Sequence, residues 1–176
     1  MRNITTPTEL ETLVVFSDLT NFYRHAKTMS DGELFEWISA YFEMAGEIIE
    51  DGGGTVVKTI GDAILFLFPE DKVDEGVKSL ILLQEKTKEW MEGRRCPCQA
   101  IIKAHFGPVV VGPVGTKSNK RFDVYGKTVN NAARLQSHGL ALTPQVFRKL
   151  SADTRKLFKK HTPPYRYIPL AEHHRD

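Results

Sequence analysis

Two short apolar runs separated by Gly61-Asp62 restrict the fold of this chain more than any other feature of its sequence. The runs, at 55–60 and 63–68, have the length and the β-branched and aromatic content of strands. A two-residue connection between strands is a β-hairpin, and glycine at its first central position suits a type II′ turn. The sequence therefore predicts an antiparallel pair with Asp62 at its tip.

Further elements on both sides of this hairpin complete the order strand, helix, strand, strand, helix, strand. The predicted strands are 11–16, 55–60, 63–68, 100–106 and 109–111, and the predicted helices are 34–49 and 74–91. Gly107-Pro108 is predicted to separate the last two strands. This order is the ferredoxin-like split βαβ arrangement, so we expect an α+β fold built on a βαββαβ sheet.

The rest of the chain is predicted to add elements behind this sheet. A helix is expected at about 128–136, a short strand at 141–142, another helix from Pro144 and a last strand near Tyr167. No internal repeat or linker is visible. We therefore expect residues 1–176 to form a single domain with C-terminal additions.

Composition excludes several classes of protein. The chain is 41% hydrophobic and 26% charged, as in globular domains. The charges of its 24 basic and 22 acidic residues nearly cancel, so the chain has no strong positive field that would attract nucleic acid. Its longest apolar runs are far below the ~20 residues of a membrane span, and its start has no signal-peptide pattern. We expect a cytoplasmic protein without nucleic-acid partners and without membrane insertion in this segment.

Two aspartates are predicted to meet at one end of the sheet. In the split βαβ arrangement the first strand lies beside the hairpin, so Asp18, at the end of that strand, approaches Asp62 at the tip. Mg²⁺ is held by one or two carboxylates together with substrate phosphates, and such pairs serve phosphoryl chemistry. The alternative interpretation is that Asp18 caps the next helix and Asp62 is an ordinary turn residue.

Polar residues on the helix at 128–136 form a second candidate group. Asn130 and Arg134 are four residues apart and share one face, whereas Val129, Ala132, Ala133 and Leu135 are expected to pack. Arginine suits phosphate charge and asparagine suits a sugar hydroxyl. An ordinary surface helix is the alternative. Lys58, which interrupts an apolar strand, is a third candidate, or else protects an edge strand.

Three ordered motifs give the chain a family resemblance. They are Phe16-Ser17-Asp18-Leu19-Thr20-Asn21-Phe22, then Lys58-Thr59-Ile60-Gly61-Asp62, and then the stretch from Phe122 to Leu135 that contains Asp123, Asn130 and Arg134. Together, over about residues 11–148, they resemble the catalytic domain of class III nucleotidyl cyclases. Several motifs with matching gaps are far more specific than one short pattern.

The resemblance implies roles for these residues. Asp18 and Asp62, with the Leu19 carbonyl, would bind two divalent cations, Mg²⁺ or Mn²⁺. The turn formed by Leu19, Thr20, Asn21 and Phe22 would contact the substrate. Asn130 and Arg134 would be the catalytic residues that orient the ribose and neutralise phosphoryl charge.

Base selection is implied for two further residues. Lys58 would donate to adenine N1, and Asp123 would accept from the exocyclic amine. Guanine presents the opposite pattern at these positions. The resemblance therefore implies an adenylate cyclase that converts ATP to 3′,5′-cyclic AMP and pyrophosphate.

Family geometry also implies a homodimer. The metal aspartates would come from one subunit, and Lys58, Asp123, Asn130 and Arg134 from the other, which gives two complete sites. A sensor domain on a longer chain is a further expected partner. A guanylate cyclase and a non-catalytic domain that binds nucleotide or dimerises are the alternatives.

Two departures from the family pattern are visible. Asn21 occupies a position that is usually glycine. The family often carries a Lys-Gly pair near the C-terminus whose lysine touches the terminal phosphates. That lysine cannot be assigned within residues 158–167.

Overall fold

The computed structural model describes residues 4–174, so the ends of the expected domain, 1–3 and 175–176, lie outside the described residues. The strands are β1 Thr8–Leu19, β2 Thr55–Ile60, β3 Ala63–Pro69, β4 Ala100–Gly115, β5 Lys120–Tyr125, β6 Leu140–Leu142, β7 Phe158–His161 and β8 Arg166–Pro169. The helices are α1 Phe22–Ala26, α2 Asp31–Asp51, α3 Val73–Gly93, α4 Lys127–Arg134, α5 Pro144–Lys149 and α6 Ala152–Arg155, with a 3-10 turn at Glu70–Lys72.

The described strands form one sheet whose order confirms the predicted topology. Strands β2, β3, β1 and β4 are neighbours in that order, and β1 is antiparallel to both β3 and β4. This is the split βαβ order. Strands β6, β8 and β7 extend the sheet beyond β4, and β5 pairs with the distal half of β4. The fold is therefore the predicted α+β sheet with C-terminal additions.

Alternation along the strands divides the core between two faces. On β1, Leu13 and Val15 point to the face covered by α2 and α3, whereas Val14 points to the opposite face. The helix-covered face holds the larger cluster, including Phe66 and Phe68 of β3. Complete burial of such a side chain stabilises the fold by about 1.5–3 kcal/mol.

The second face is smaller and is covered by one short helix. Its buried side chains are Ala132, which α4 itself contributes, and Val14, Leu65, Leu67, Val109, Val111 and Val124 of the sheet. Phe16, Val57 and Phe122 are half-buried at the margin of this cluster. These three side chains leave some apolar surface at the rim of the cluster.

Strand β4 corrects one prediction. The sequence divided it at Gly107-Pro108, but the strand is continuous through both residues. On one side Pro108 lies opposite Glu11 of β1. On the other side the pairing with β6 ends at Ala104 and the pairing with β5 begins at Val110. Proline lacks a backbone donor, and at this gap in the ladder no donor is needed.

The helices also differ in detail from the prediction. Helix α2 starts at Asp31 because Ser30 and Glu33 form a capping box. The five-residue helix α1 was not predicted, since it lies in a polar stretch without helical periodicity. Helix α4 ends at Arg134, and Ala133, expected to pack, is exposed. Among the described residues, no helix has the length and apolar character needed to cross a membrane.

Candidate active site

The end of β1 and the tip of the β2–β3 hairpin place Asp18 and Asp62 side by side. Ser17 pairs with Ile64, so the next residue of β1 reaches the level of the turn. Gly61 has a φ of +63°, which glycine adopts without strain. Burial, followed by the negative charge of Asp18, raises the pKa of Asp62 above its ordinary value.

Asp18 does not cap the following helix, which removes the alternative reading of this residue. The N-cap position of α1 is Asn21, whose side chain makes no capping hydrogen bond. The Asp18 carboxylate instead accepts a hydrogen bond of 2.9 Å from the Leu19 amide. The second oxygen of this carboxylate takes no part in that bond.

The donor set of this pair suits a hard divalent cation. Two carboxylates that repel each other are stabilised when a cation lies between them. Within the described residues, no group of three or more His, Cys, Asp or Glu side chains is arranged as a metal site. Mg²⁺ accepts such a partial set because water and substrate phosphate complete its shell.

The turn after Asp18 is anchored at both ends. The Thr20 amide donates to the Gln99 carbonyl at 2.9 Å, and the Gln99 amide donates to the Thr20 hydroxyl at 3.0 Å. Phe22 packs near Trp37, with ring centroids 6.0 Å apart. Between them Asn21 has a φ of +58°, in the left-handed region that glycine and asparagine tolerate. Asparagine thus preserves the backbone that glycine would give here.

Two buried side chains behind the aspartates were not predicted. Tyr41 of α2 is 1% exposed, and burial raises its pKa, with a further contribution from the charges of Asp18 and Asp62. Burial, contact with Cys96 and the charge of Asp62 raise the pKa of Cys98 to about 12. Both groups therefore stay neutral next to the carboxylates. No periodicity or motif in the sequence indicates these neighbours.

Lys58 and Asp123 form an ion pair on the face of the sheet opposite α2 and α3. The Lys58 ammonium lies 2.7 Å from Asp123 Oδ2, and the two side chains are 39% and 15% exposed. Asp123 Oδ1 accepts a 2.8 Å hydrogen bond from the Val124 amide, which fixes the carboxylate. The pair joins β2, an edge strand, to β5.

A β-bulge explains how a lysine in an apolar strand reaches this face. The register between β2 and β3 shifts between Val56 and Lys58, so Val57 has no partner of its own. Such a bulge re-aims the side chains that follow it. Val57 and Lys58, successive in sequence, consequently line the same cavity.

This cavity has a volume of about 560 Å³ and lies between β2 and the β4–β5 hairpin. Its lining includes Thr59, Val114, Phe122 and the Lys58–Asp123 pair. It combines apolar side chains with the ammonium donor of Lys58 and the carboxylate acceptor of Asp123, and Arg121 and Asn119 add further polar groups to its wall. That combination suits a flat, polar-edged ring such as a nucleobase.

Helix α4 carries the remaining predicted residues. Asn130 and Arg134 lie on its exposed face, as their spacing predicted, whereas Thr128 and Ala132 are buried beneath it. The Thr128 hydroxyl donates to the Pro108 carbonyl at 2.6 Å and fixes the start of the helix to β4. Arg134 lines a second cavity, of about 590 Å³, together with Lys103.

A buried histidine holds α4 from below and was not predicted. His105 of β4 is 7% exposed; its Nδ1 lies 2.9 Å from the Thr143 hydroxyl and its Nε2 lies 3.3 Å from the Asn131 amide nitrogen. With the amide donating to Nε2, the proton is on Nδ1 and is donated to Thr143. Burial lowers the pKa of His105, so the imidazole is neutral. Asn131 adjoins Asn130, which connects this bond to the exposed face.

The predicted residues thus fall into three groups within one chain: Asp18 with Asp62, Lys58 with Asp123, and α4 with Asn130 and Arg134. Neither aspartate of the first group is among the described residues that line the two cavities. The aspartate pair therefore lies outside the walls of both cavities.

The fold that carries these groups is that of the class III nucleotide cyclases. Residues 6–163 match the family described as the adenylate and guanylate cyclase catalytic domain. The chain belongs to this family, as the resemblance of its motifs indicated.

Similar proteins include cyclases for both nucleotides. The chain is 30% identical over 152 residues to an adenylate cyclase of Anabaena cylindrica, covering 78% of this chain and 30% of that protein. It is 29% identical over 155 residues to the guanylate cyclase soluble subunit beta-2 of Rattus norvegicus, covering 81% of this chain and 22% of that protein. The chain thus spans less than a third of the length of these relatives.

Among solved structures, the adenylyl cyclase CyaB from P. aeruginosa superposes with a TM-score of 0.82 at 16% identity. The superposition covers 96% of this chain and 97% of that one. At this identity the likeness establishes the fold.

Proposed function

We propose that this chain is an adenylate cyclase catalytic domain that converts ATP to 3′,5′-cyclic AMP and pyrophosphate. The observation that carries the proposal is the Lys58–Asp123 pair, held at 2.7 Å in the wall of a cavity. Lysine only donates and aspartate only accepts, which matches adenine N1 and its exocyclic amine. Guanine reverses both positions, so the Lys58 ammonium and the Asp123 carboxylate would face the wrong groups of the base.

The aspartate pair is proposed as the metal site. Asp18 and Asp62, with the Leu19 carbonyl, would hold two Mg²⁺ or Mn²⁺ ions together with the substrate phosphates. Bound there, the ions would lower the pKa of the ribose 3′-hydroxyl and neutralise charge on the triphosphate. The turn containing Leu19, Thr20, Asn21 and Phe22 would contact the phosphates from the same end of the sheet.

Residues of α4 are proposed to act on the reacting atoms. The ribose 3′-oxygen would attack the α-phosphorus, its proton would pass to solvent water, and the bond from the α-phosphorus to the pyrophosphate oxygen would break, which releases pyrophosphate. Arg134 would donate to the phosphoryl oxygens as their charge increases, and Asn130 would hold the ribose. Both side chains are exposed and hence able to reach a substrate held by another subunit.

A homodimer is proposed because the aspartate pair of one chain does not line the cavity of Lys58 and Asp123 or that of Arg134. An isologous pair would place the aspartates of one subunit opposite Lys58, Asp123, Asn130 and Arg134 of the other, forming two sites. The partly covered second face of the sheet, with Phe16, Val57 and Phe122 at its margin, supplies apolar surface for the contact.

The cellular location of the domain and its association with a sensor domain are also proposals. We place the catalytic domain, residues 1–176, in the cytoplasm, where ATP and Mg²⁺ are available. The chain spans less than a third of its Anabaena cylindrica relative, which leaves room for a sensor domain in a longer protein.

Product analysis tests the proposal. The purified chain is incubated with ATP and Mn²⁺ or Mg²⁺, and nucleotides are resolved by chromatography and mass spectrometry. We expect 3′,5′-cyclic AMP and an equal amount of pyrophosphate, and no product from Arg134→Ala. Cyclic GMP formed from GTP in preference would identify a guanylate cyclase. Binding of ATP without any cyclic product would identify a non-catalytic nucleotide-binding domain.

A further inference from the structure

Helix α4, which carries Asn130 and Arg134, has little apolar packing of its own. It is eight residues long, and of its side chains only Thr128 and Ala132 are buried. A helix this short is not stable alone in water, so its position depends on contacts with the rest of the domain. The contacts that hold α4 therefore decide where the side chains of Asn130 and Arg134 are placed.

Polar contacts hold α4 at its start, its end and its middle. At the start, the Thr128 hydroxyl donates to a carbonyl of β4 at 2.6 Å. At the end, the Lys103 ammonium donates to a carbonyl of the last turn at 3.4 Å, a long contact at the exposed surface. In the middle, the Asn131 side chain contacts His105 of β4. The middle contact involves the buried partner that lies closest in sequence number of α4 to Asn130.

His105 connects α4 to a further element through its second nitrogen. Nε2 lies 3.3 Å from the Asn131 amide nitrogen, and Nδ1 lies 2.9 Å from the Thr143 hydroxyl. Thr143 is the N-cap residue of α5, yet its side chain makes no capping hydrogen bond. Its backbone amide donates to the Ala104 carbonyl at 3.1 Å, which fixes Thr143 to β4. An imidazole bonded at both nitrogens cannot rotate without breaking one of the bonds, so it is a rigid support for Asn131.

We propose that His105 is a positioning residue that sets the orientation of α4 through Asn131 and thereby places Asn130 and Arg134 for the reaction. The inference rests on the proposed function, because that function assigns these two residues to the ribose and the phosphoryl oxygens. Asn131 follows Asn130 directly and lies three positions before Arg134, which is about one helical turn. A tilt of α4 therefore moves both side chains. A displacement of ~1 Å in a catalytic arrangement lowers turnover by up to ~100-fold.

A role of His105 in stability alone makes different predictions. If the contact only stabilised the fold, any variant that remains folded would keep its kcat. If the contact positions α4, kcat falls in folded protein, whereas the KM for ATP changes little because the base is held by Lys58 and Asp123. Glutamine at position 105 offers a carbonyl acceptor for Asn131 and an amide donor for Thr143. Leucine offers neither.

The test measures kcat, the KM for ATP and the melting temperature of each variant. We expect kcat to fall roughly 10- to 100-fold in His105→Leu and Asn131→Ala, with KM within about twofold of the unmodified value. His105→Gln should restore most of kcat. The matched control is Thr154→Val, which removes a buried hydroxyl that lies 3.0 Å from Asp74, far from α4 in the order of the sheet. It should lower the melting temperature and leave kcat unchanged.

Hydrogen–deuterium exchange of Lys127–Arg134 provides a second readout that needs no turnover. Exchange should be faster in Asn131→Ala and His105→Leu than in the unmodified protein, and near the unmodified rate in His105→Gln. If His105→Leu fails to fold, Asn131→Ala, at an exposed residue, provides the same comparison.

Three outcomes would overturn the proposal: full kcat in Asn131→Ala, a kcat in His105→Gln as low as in His105→Leu, or unchanged exchange of α4 in Asn131→Ala. An unmodified protein that makes no cyclic nucleotide would refute the cyclase function instead. In that case the exchange measurement still decides whether His105 holds α4 in place.

Discussion

The ammonium of Lys58 lies 2.7 Å from a carboxylate oxygen of Asp123, although 65 residues separate them in the chain. The bulge in β2 and the amide of Val124 hold the two groups in this arrangement. A donor and an acceptor fixed side by side at a cavity wall can distinguish bases by hydrogen bonding, which is why the pair determines the proposed choice of ATP.

Exchanging the polarity of this pair should alter base selection. In the double variant Lys58→Glu with Asp123→Cys, adenine loses both hydrogen bonds, at a cost of ~1–3 kcal/mol each. We expect kcat/KM for ATP to fall by roughly one to four orders of magnitude, and the ATP-to-GTP ratio to fall with it. Steady-state kinetics with both nucleotides measures the change. Lys86→Glu, which breaks an exposed ion pair on α3, is the control. An unchanged ratio in the double variant would contradict the assignment.

Removing the charge of Asp62 should separate activity from stability. Asp62→Asn keeps the size of the side chain but removes its repulsion with Asp18 and its negative charge for cation binding. Turnover should fall at least ~100-fold, while the melting temperature stays the same or rises. Activity assays and thermal unfolding provide the two measurements, and Asp51→Asn at the exposed end of α2 is the control. Substantial activity in Asp62→Asn would argue against the metal role.

Mixing inactive variants should restore activity if subunits share sites. A heterodimer of Asp62→Ala and Arg134→Ala has one site in which both residues are intact. Equal mixing makes half of the dimers heterodimers, so about a quarter of the unmodified activity should return. The matched control mixes Asp62→Ala with Asp18→Ala, which leaves every site defective. Absence of rescue in the first mixture, after subunit exchange is demonstrated, would exclude shared sites.

Acid should weaken the fold through His105. Burial lowers the pKa of His105 in the folded state, so below about pH 6.5 the unfolded chain binds the proton more readily. The free energy of unfolding should therefore decrease as pH falls from about 6.5 towards the pKa of His105 in the folded state. Above about pH 6.5 the contribution of His105 to this free energy should not change with pH. Urea unfolding between pH 5 and 8 measures the slope. His105→Gln should be less stable at pH 8 but less sensitive to acid, whereas His138→Gln, at an exposed histidine, should keep the slope. An unaltered slope in His105→Gln would refute this account.

Local chemistry explains which parts of the fold could be predicted. The Gly61-Asp62 turn, the capped and periodic helices and the chain order depend on short-range signals, so the sequence indicated the sheet and the approach of Asp18 to Asp62. The continuity of β4 through Pro108 depends on where two other strands stop pairing, which no local pattern contains. The same is true of the bulge that directs Lys58 towards Asp123.

The supporting residues of the candidate site were the least predictable. His105 contacts Asn131 and Thr143 from a strand whose alternation marks it only as an inward-facing position. In the sequence Lys103 is only a charged residue within a predicted strand. Its position beside Arg134 results from the packing of α4 on β4. Such contacts between distant segments require the three-dimensional structure.

The ratio of kcat/KM for ATP to that for GTP tests the central claim most directly. With the unmodified chain and Mn²⁺ or Mg²⁺, two mismatched hydrogen bonds should give a preference for ATP of roughly one to four orders of magnitude, with 3′,5′-cyclic AMP as the product. Equal values for the two nucleotides, or a preference for GTP, would show that Lys58 and Asp123 do not select adenine.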